Sequence, residues 1–218
     1  MTPTWLDKLE KKMGWFALPN LGMYLIILQV FGMLSYYTNP ESLQKFILYP
    51  HLVLQGEVWR MLTFLAVPLS YPDGALNTLF TAFFLMILYY IFNSLEAHWG
   101  AFKTTFYFFF SVFLTILYSL IADYPVVNFR NIEYSLMLAL CTLFGEQEIH
   151  YFVVRVKLKW LGYILGAMII YNFIIYEPMG KLYLIIVYSN FMLFFGPRFI
   201  NNLKQRQRRW DYKNKTKK

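Results

Sequence analysis

The sequence predicts an all-α membrane protein whose chain crosses the bilayer six times. Three observations carry that reading: a composition too apolar for a soluble domain, six long stretches without a charge, and basic residues gathered at the two chain ends. Of 218 residues, 58% are hydrophobic, 21% aromatic and only 15% charged, where a soluble domain carries about a quarter charged. The uncharged stretches cover 13–40, 74–95, 104–122, 134–145, 160–176 and 182–197. A helix needs about 20 apolar residues to cross about 30 Å of hydrocarbon, and most of these stretches have that reach.

Residues 1–12, with Lys8, Lys11 and Lys12, form a polar cytoplasmic N-terminal segment. No small-residue cleavage site follows them, so 13–40 reads as a first span rather than a removed signal peptide. Two runs, 61–72 and 134–145, hold only 12 uncharged residues each. Basic residues at both ends place both ends in the cytoplasm, which requires an even number of spans, so one of the two short runs must cross. Charge counting does not choose: either assignment leaves 16 Lys and Arg inside and 4 outside. Pro68 and Pro72 decide it, because proline interrupts a helix and only Asp73 and Gly74 would remain to turn into the next span. The expectation is an outer, membrane-embedded loop at 61–72 and a short fourth span at 134–145. Irregular backbone at that depth must be buried against protein.

The transmembrane domain is expected over 13–200, with a basic cytoplasmic tail over 201–218. Net charge is +8, and its concentration at Lys204-Gln205-Arg206-Gln207-Arg208-Arg209 reads as a topology signal and a contact for anionic lipid headgroups, not nucleic acid. Trp15, Trp99, Trp160 and Trp210 fall near the cytoplasmic interface in this topology, where amphipathic rings are favoured. Cys141 is the lone cysteine; it excludes an intrachain disulfide and reads as an inert buried thiol. Gly162 and Gly166 give the fifth span a small-residue face for helix packing. Gln29, Asn93, Asn172 and Asn190 are polar residues inside spans, expected to hydrogen-bond between helices.

Gly56-Glu57-Val58-Trp59-Arg60, the run Ser94-Leu95-Glu96-Ala97-His98-Trp99-Gly100 closing the second span, and Val156-Lys157-Leu158-Lys159-Trp160-Leu161 opening the fifth stand in order across the six spans. With the short fourth helix, this pattern resembles the rhomboid superfamily over about residues 15 to 200. Trp59, Arg60, Glu96, Trp99 and Gly100 are then scaffold-motif positions. Arg60 should donate its N–H groups to loop carbonyls and pin the embedded loop. Glu96 should accept from hydroxyls such as those of Thr104 or Thr105, and Gly100 should permit the tight turn between spans.

The resemblance implies a serine in a glycine-bearing turn at the fourth span and a histidine from the sixth, close enough for proton transfer. Neither stands here in its usual setting. Ser135 has no flanking glycine, alignment from Phe144-Gly145 puts Arg130 near the nucleophile position, and Asn190 is the best occupant of the histidine slot. A neutral amide is no general base. His98 and His150 lie on the wrong side, and His150 is 15 residues from Ser135, about 22 Å along a helix. Only His51 could serve Ser135.

No Cys/His or Asp/Glu group has metal-ligand spacing, so no metal and no cofactor is expected. The leading expectation is a catalytically inactive rhomboid-like membrane protein, comparable in that respect to the Derlin and inactive-rhomboid branches. Its partners would be the bilayer and transmembrane segments of client proteins, with Asn172 and Asn190 as client contacts. The rivals are an intramembrane serine protease with a displaced Ser135–His51 dyad and a small transporter. Client identity and oligomeric state are not legible.

Overall fold

A computed structural model describes residues 4–71, 74–151 and 154–215. Among them, five helices are long and apolar enough to cross a membrane, which makes this an integral multi-pass membrane protein. In chain order the α-helices are α1 (Thr4–Met13), α2 (Leu21–Thr38), α3 (Pro50–Leu54), α4 (Arg60–Thr63), α5 (Gly74–Trp99), α6 (Ala101–Ala122), α7 (Arg130–Leu143), α8 (Leu158–Ile175) and α9 (Pro178–Lys215). The span-length helices are α2, α5, α6, α8 and the first part of α9, through Pro197. α7 has 14 residues, a rise of about 21 Å, and packs among α5, α6, α8 and α9.

The structure departs from the sequence expectations at three places along the chain. The N-terminal segment is a helix docked on the bundle: Leu6 is fully buried, and Trp5 meets the rings of Phe106 and Phe194 edge-on at 6.0 and 5.9 Å. Its acids Asp7 and Glu10 approach Lys103 Nζ at 2.5 and 3.5 Å, supplying the counter-charge for a lysine at the mouth of α6. Two short strands, β1 (Glu148–Tyr151) and β2 (Val154–Lys157), pair antiparallel with Glu148 opposite Lys157. Glu146 beside them accepts from Lys159 and Lys157, and these bonds hold its carboxyl below the usual carboxylate range. Finally, α9 does not stop at the membrane: it runs 38 residues through Pro197 to Lys215, so the basic tail continues the last span.

The core centres on α6. Its buried face carries Thr104, Thr105, Ser111, Thr115 and Ser119 beside Tyr107, Phe108 and Val112, and small hydroxyl residues let neighbouring helices approach closely. Phe194 of α9 packs edge-on against Tyr107 at 4.8 Å and beside Trp99 at 5.9 Å. Trp99, the last residue of α5, is therefore a core ring, only 7% exposed. Trp15 and Trp160 are exposed, and the Trp210 side chain lies outside the described residues.

The segment after Trp59 is broken, as its prolines require: a turn of α4, a 3-10 turn over Phe64–Ala66, then extended chain. Phe64, Leu65, Ala66, Val67 and Leu69 are all buried. Gln29 of α2 serves its backbone: Nε2 donates to the carbonyls of Leu65 at 2.5 Å and Val67 at 3.1 Å, and Oε1 accepts from the Leu69 N–H at 3.2 Å. One turn on, Gly32 has no Cβ, and one built there would overlap the Ala66 carbonyl oxygen. At the loop's entrance, Arg60 Nη1 donates to Gln44 O at 2.7 Å and Ile47 O at 2.9 Å, while Nε donates to Glu57 at 2.6 Å. Leu48 in the same loop bridges to Val126 between α6 and α7, which ties the two connections together at one end of the bundle.

Two stability predictions follow from this clamp. Gly32→Ala should lower the detergent melting temperature sharply, an overpacking cost of about 1–3 kcal/mol or more. Gly166→Ala, where a Cβ meets nothing within 4 Å, should melt like wild type; equal melting of both variants would mean the loop does not press on α2. Arg60→Ala should also destabilise, by up to about 1.5–3 kcal/mol for each charged hydrogen bond lost. Arg60→Lys should restore only part of that, because an ammonium cannot reach two carbonyls and a carboxylate with one planar fork.

Candidate functional site

Ser135 lies on the buried face of α7 and is fully buried. Its Oγ pairs with the Tyr107 hydroxyl at 2.7 Å, and that hydroxyl also reaches the Ser135 carbonyl at 3.2 Å. Asn190 of α9 donates from Nδ2 to Tyr107 O at 2.9 Å and to Ser111 Oγ at 2.6 Å. The fold thus brings the two sequence candidates, Ser135 and Asn190, onto one residue of α6. What it makes of them is a closed polar contact among three helices. Tyr107 occupies the hydroxyl, and among the described residues no histidine, carboxylate or amine is bonded to it.

His51 stands on α3, exposed, with its ring 5.8 Å from that of Tyr49. No hydrogen bond joins it to Ser135, so the displaced dyad is not assembled. Asn190 is fully buried and engaged, which removes it as a client contact; Asn172 is half-buried on α8. The two residues do not make a common surface.

The other motif positions divide by partner. Glu96 accepts not from threonine hydroxyls but from the Asn20 N–H, at 3.0 and 3.1 Å, where Asn20 takes a left-handed conformation to start α2. A helix start leaves N–H groups unsatisfied, and a backbone donor fixed in place outcompetes a hydroxyl that already has a partner. Thr104 bonds back to Gly100 O and Thr105 to Leu18. Gly100 has φ +86 and joins α5 to α6 with no intervening residue. Gly162 lets α8 sit against Cys141, where a Cβ would come within 2.9 Å, whereas Gly166 faces open space. Half of the small-residue pair packs. Trp59 is 51% exposed and makes its contribution through its carbonyl, which accepts from Leu62 and Thr63.

Among the described residues, two concavities could receive a ligand. One, of about 420 Å³, lies between the loop end (Leu69, Ser70, Tyr71), α5 (Asn77, Phe84) and the start of α7 (Arg130, Glu133, Tyr134). Arg130 Nη2 donates to the Leu69 carbonyl there. The other, about 480 Å³ and almost wholly apolar, runs between α2, the embedded loop and α6, with Leu21, Tyr24, Leu25, Leu65, Phe108 and Phe109 among its walls. Neither was visible in the sequence, because each brings together distant segments, Leu69 with Tyr134 in one and Leu18 with Phe109 in the other.

The polar contact can be tested by charge. Asn190→Ala loses two bonds, each worth about 0.6–2 kcal/mol between membrane helices. Asn190→Asp loses the same donors and also faces the Tyr107 carbonyl with a buried acid, so it should melt below Asn190→Ala in detergent. Melting of the aspartate variant at or above the alanine variant would show that water reaches this site.

No family model matches the chain, and neither a curated protein nor a solved structure is significantly similar to it.

Proposed function

We propose that this protein is a non-hydrolytic, rhomboid-like membrane protein with six spans and both ends cytoplasmic, which binds transmembrane segments of other proteins. The observation that carries the reading is the pairing of Ser135 with Tyr107 in the closed core beside Asn190. The one hydroxyl at the place the resemblance assigns to a nucleophile is committed to structure and lacks a base. What supports a binding role is the apolar cleft beside the embedded loop. Its walls are leucine and aromatic side chains, and Gln29 keeps the loop's peptide groups turned inward. A client helix resting there would meet side chains rather than unsatisfied backbone. Association inside a bilayer rests on packing and hydrogen bonds rather than on the hydrophobic effect, so a preformed concavity is where a second helix gains contact.

Two measurements test the proposal. A fluorophosphonate probe should leave Ser135 unlabelled in native membranes, and Ser135→Ala should change nothing; labelling that depends on Ser135 would replace the proposal with an intramembrane protease. A photocrosslinker at Tyr24, which is 58% exposed, should attach to transmembrane segments identifiable by mass spectrometry. Leu25→Trp, which fills the cleft, should reduce that capture at least several-fold. Capture of lipid alone, or capture indifferent to Leu25→Trp, would remove the client-binding role.

A further inference from the structure

We propose that the polar cavity between the embedded loop, α5 and α7 is a binding site for an aminophosphate headgroup, a phosphate ester carrying a primary ammonium. Glu133 would receive the ammonium and Arg130 the phosphate. Glu133 lines the cavity and is only 5% exposed. Among the described residues its carboxylate accepts no hydrogen bond and joins no ion pair. Burying an ionised carboxylate without donors is costly, so such a group takes up a proton unless a ligand or water supplies the donors.

The natural donor would be Arg130, three residues earlier on the same helix, a spacing at which opposite charges usually pair. It does not do so: its guanidinium is drawn instead to the Leu69 carbonyl at the loop end. Two opposite charges therefore face one cavity without touching, and the space between them suits a zwitterion. Arg130 keeps further N–H groups for the phosphate oxygens, a geometry the planar guanidinium matches well. Tyr71, Tyr134 and Asn77 add polar groups to the wall, and tyrosine rings favour an ammonium beside them.

The cavity's shape favours a lipid as the source of this headgroup. Its polar residues stand at the ends of the embedded loop and α7, while Asn77 and Phe84 on α5 are two turns apart, about 10 Å. The lower wall is thus an aromatic ring, 42% exposed on a span-length helix. A glycerophospholipid seated there would place its headgroup between Arg130 and Glu133 and its acyl chains along Phe84. The volume of about 420 Å³ falls within the range of ordinary ligand sites.

The test uses the full chain in detergent after delipidation, with phosphatidylethanolamine, phosphatidylcholine and phosphatidylglycerol of identical acyl chains, read by native mass spectrometry. Phosphatidylethanolamine should bind about ten-fold more tightly than phosphatidylcholine, because a trimethylated nitrogen has no N–H for Glu133 and one charge-assisted hydrogen bond is worth about that factor. Glu133→Gln should bring the two lipids within about two-fold, and Arg130→Gln should weaken both alike. Equal binding of all three lipids by the wild-type protein, or a preference for phosphatidylglycerol, overturns the proposal without need of any variant. Soluble glycerophosphoethanolamine forms the second arm. Binding weaker than the lipid's assigns the bilayer as the source, equal binding assigns a soluble ester, and no competition with the lipid overturns the headgroup site. Stabilisation by free α-amino acids in place of either ester would overturn it as well, since a carboxylate would then be the anion recognised.

Discussion

A peptide group buried away from water must find its hydrogen bonds inside the protein, and that constraint organises this structure. Helices satisfy it internally; the segment after Trp59 cannot do so throughout, because its helical turns end at Ala66 and Pro68 blocks their continuation. The solution is distributed over side chains far apart in the chain. Gln29 serves Leu65, Val67 and Leu69, Arg60 serves Gln44 and Ile47, and Arg130 serves the Leu69 carbonyl. Gly32 contributes by absence, since the loop reaches α2 only where no side chain stands. Remove any one of these and a polar group is left in an apolar interior, a loss larger than the bond itself.

The same logic governs the bundle's polar core. Ser135, Tyr107, Ser111 and Asn190 satisfy one another across α6, α7 and α9, and polar bonds of this kind hold membrane helices in register. A catalytic serine needs the opposite: a hydroxyl free to move, a base beside it and a route for water. Full burial and a phenol partner deny all three. The Asn190 Oδ1 is the one atom of this group without a partner among the described residues, so even the amide's spare lone pair is not turned to accept the proton of Ser135.

Much of this was legible in the sequence, and the limits have physical causes. Uncharged length located the span-length helices, because hydrocarbon thickness fixes it. The two prolines located the broken loop, because proline's effect is local. The partners of Gln29 and Glu96 were not legible, since each lies 36 or more residues away and a hydrogen bond of that kind leaves no pattern in sequence. α1 did carry a signal: Trp5, Leu6 and Leu9 share a helical face, and Lys8 and Lys11 lie off it, but a short charged segment at a chain end reads as solvated. The strand pair was also signalled, by Ile149, Val154 and Val156 alternating with polar residues, and was hidden by the assumption that connections between spans are irregular. The burial of Trp99 was not legible, because it depends on helices that follow it in the chain. Here Gly100 starts α6 one residue later, which brings α6 and α9 over the ring.

Arg130 links α7 to the end of the loop that follows Trp59. Its backbone opens α7, whose buried face carries Ser135, and its side chain holds the carbonyl of Leu69 at the end of the embedded loop. Glu133, one turn on, is the acid that this arrangement leaves unpaired. Arginine has five N–H donors and the Leu69 carbonyl occupies one of them, so an anion can be held by the same side chain without releasing the loop. An anion that competed for that donor would loosen the loop end, whereas one that used the others would fix Arg130 and tighten it. The Gln29 clamp accepts from Leu69 through the same residue's N–H. Leu69 is thereby held from both sides, by α2 through its donor and by α7 through its acceptor. Occupancy of the cavity and the position of the loop that walls the apolar cleft are in this way properties of one residue's two backbone groups.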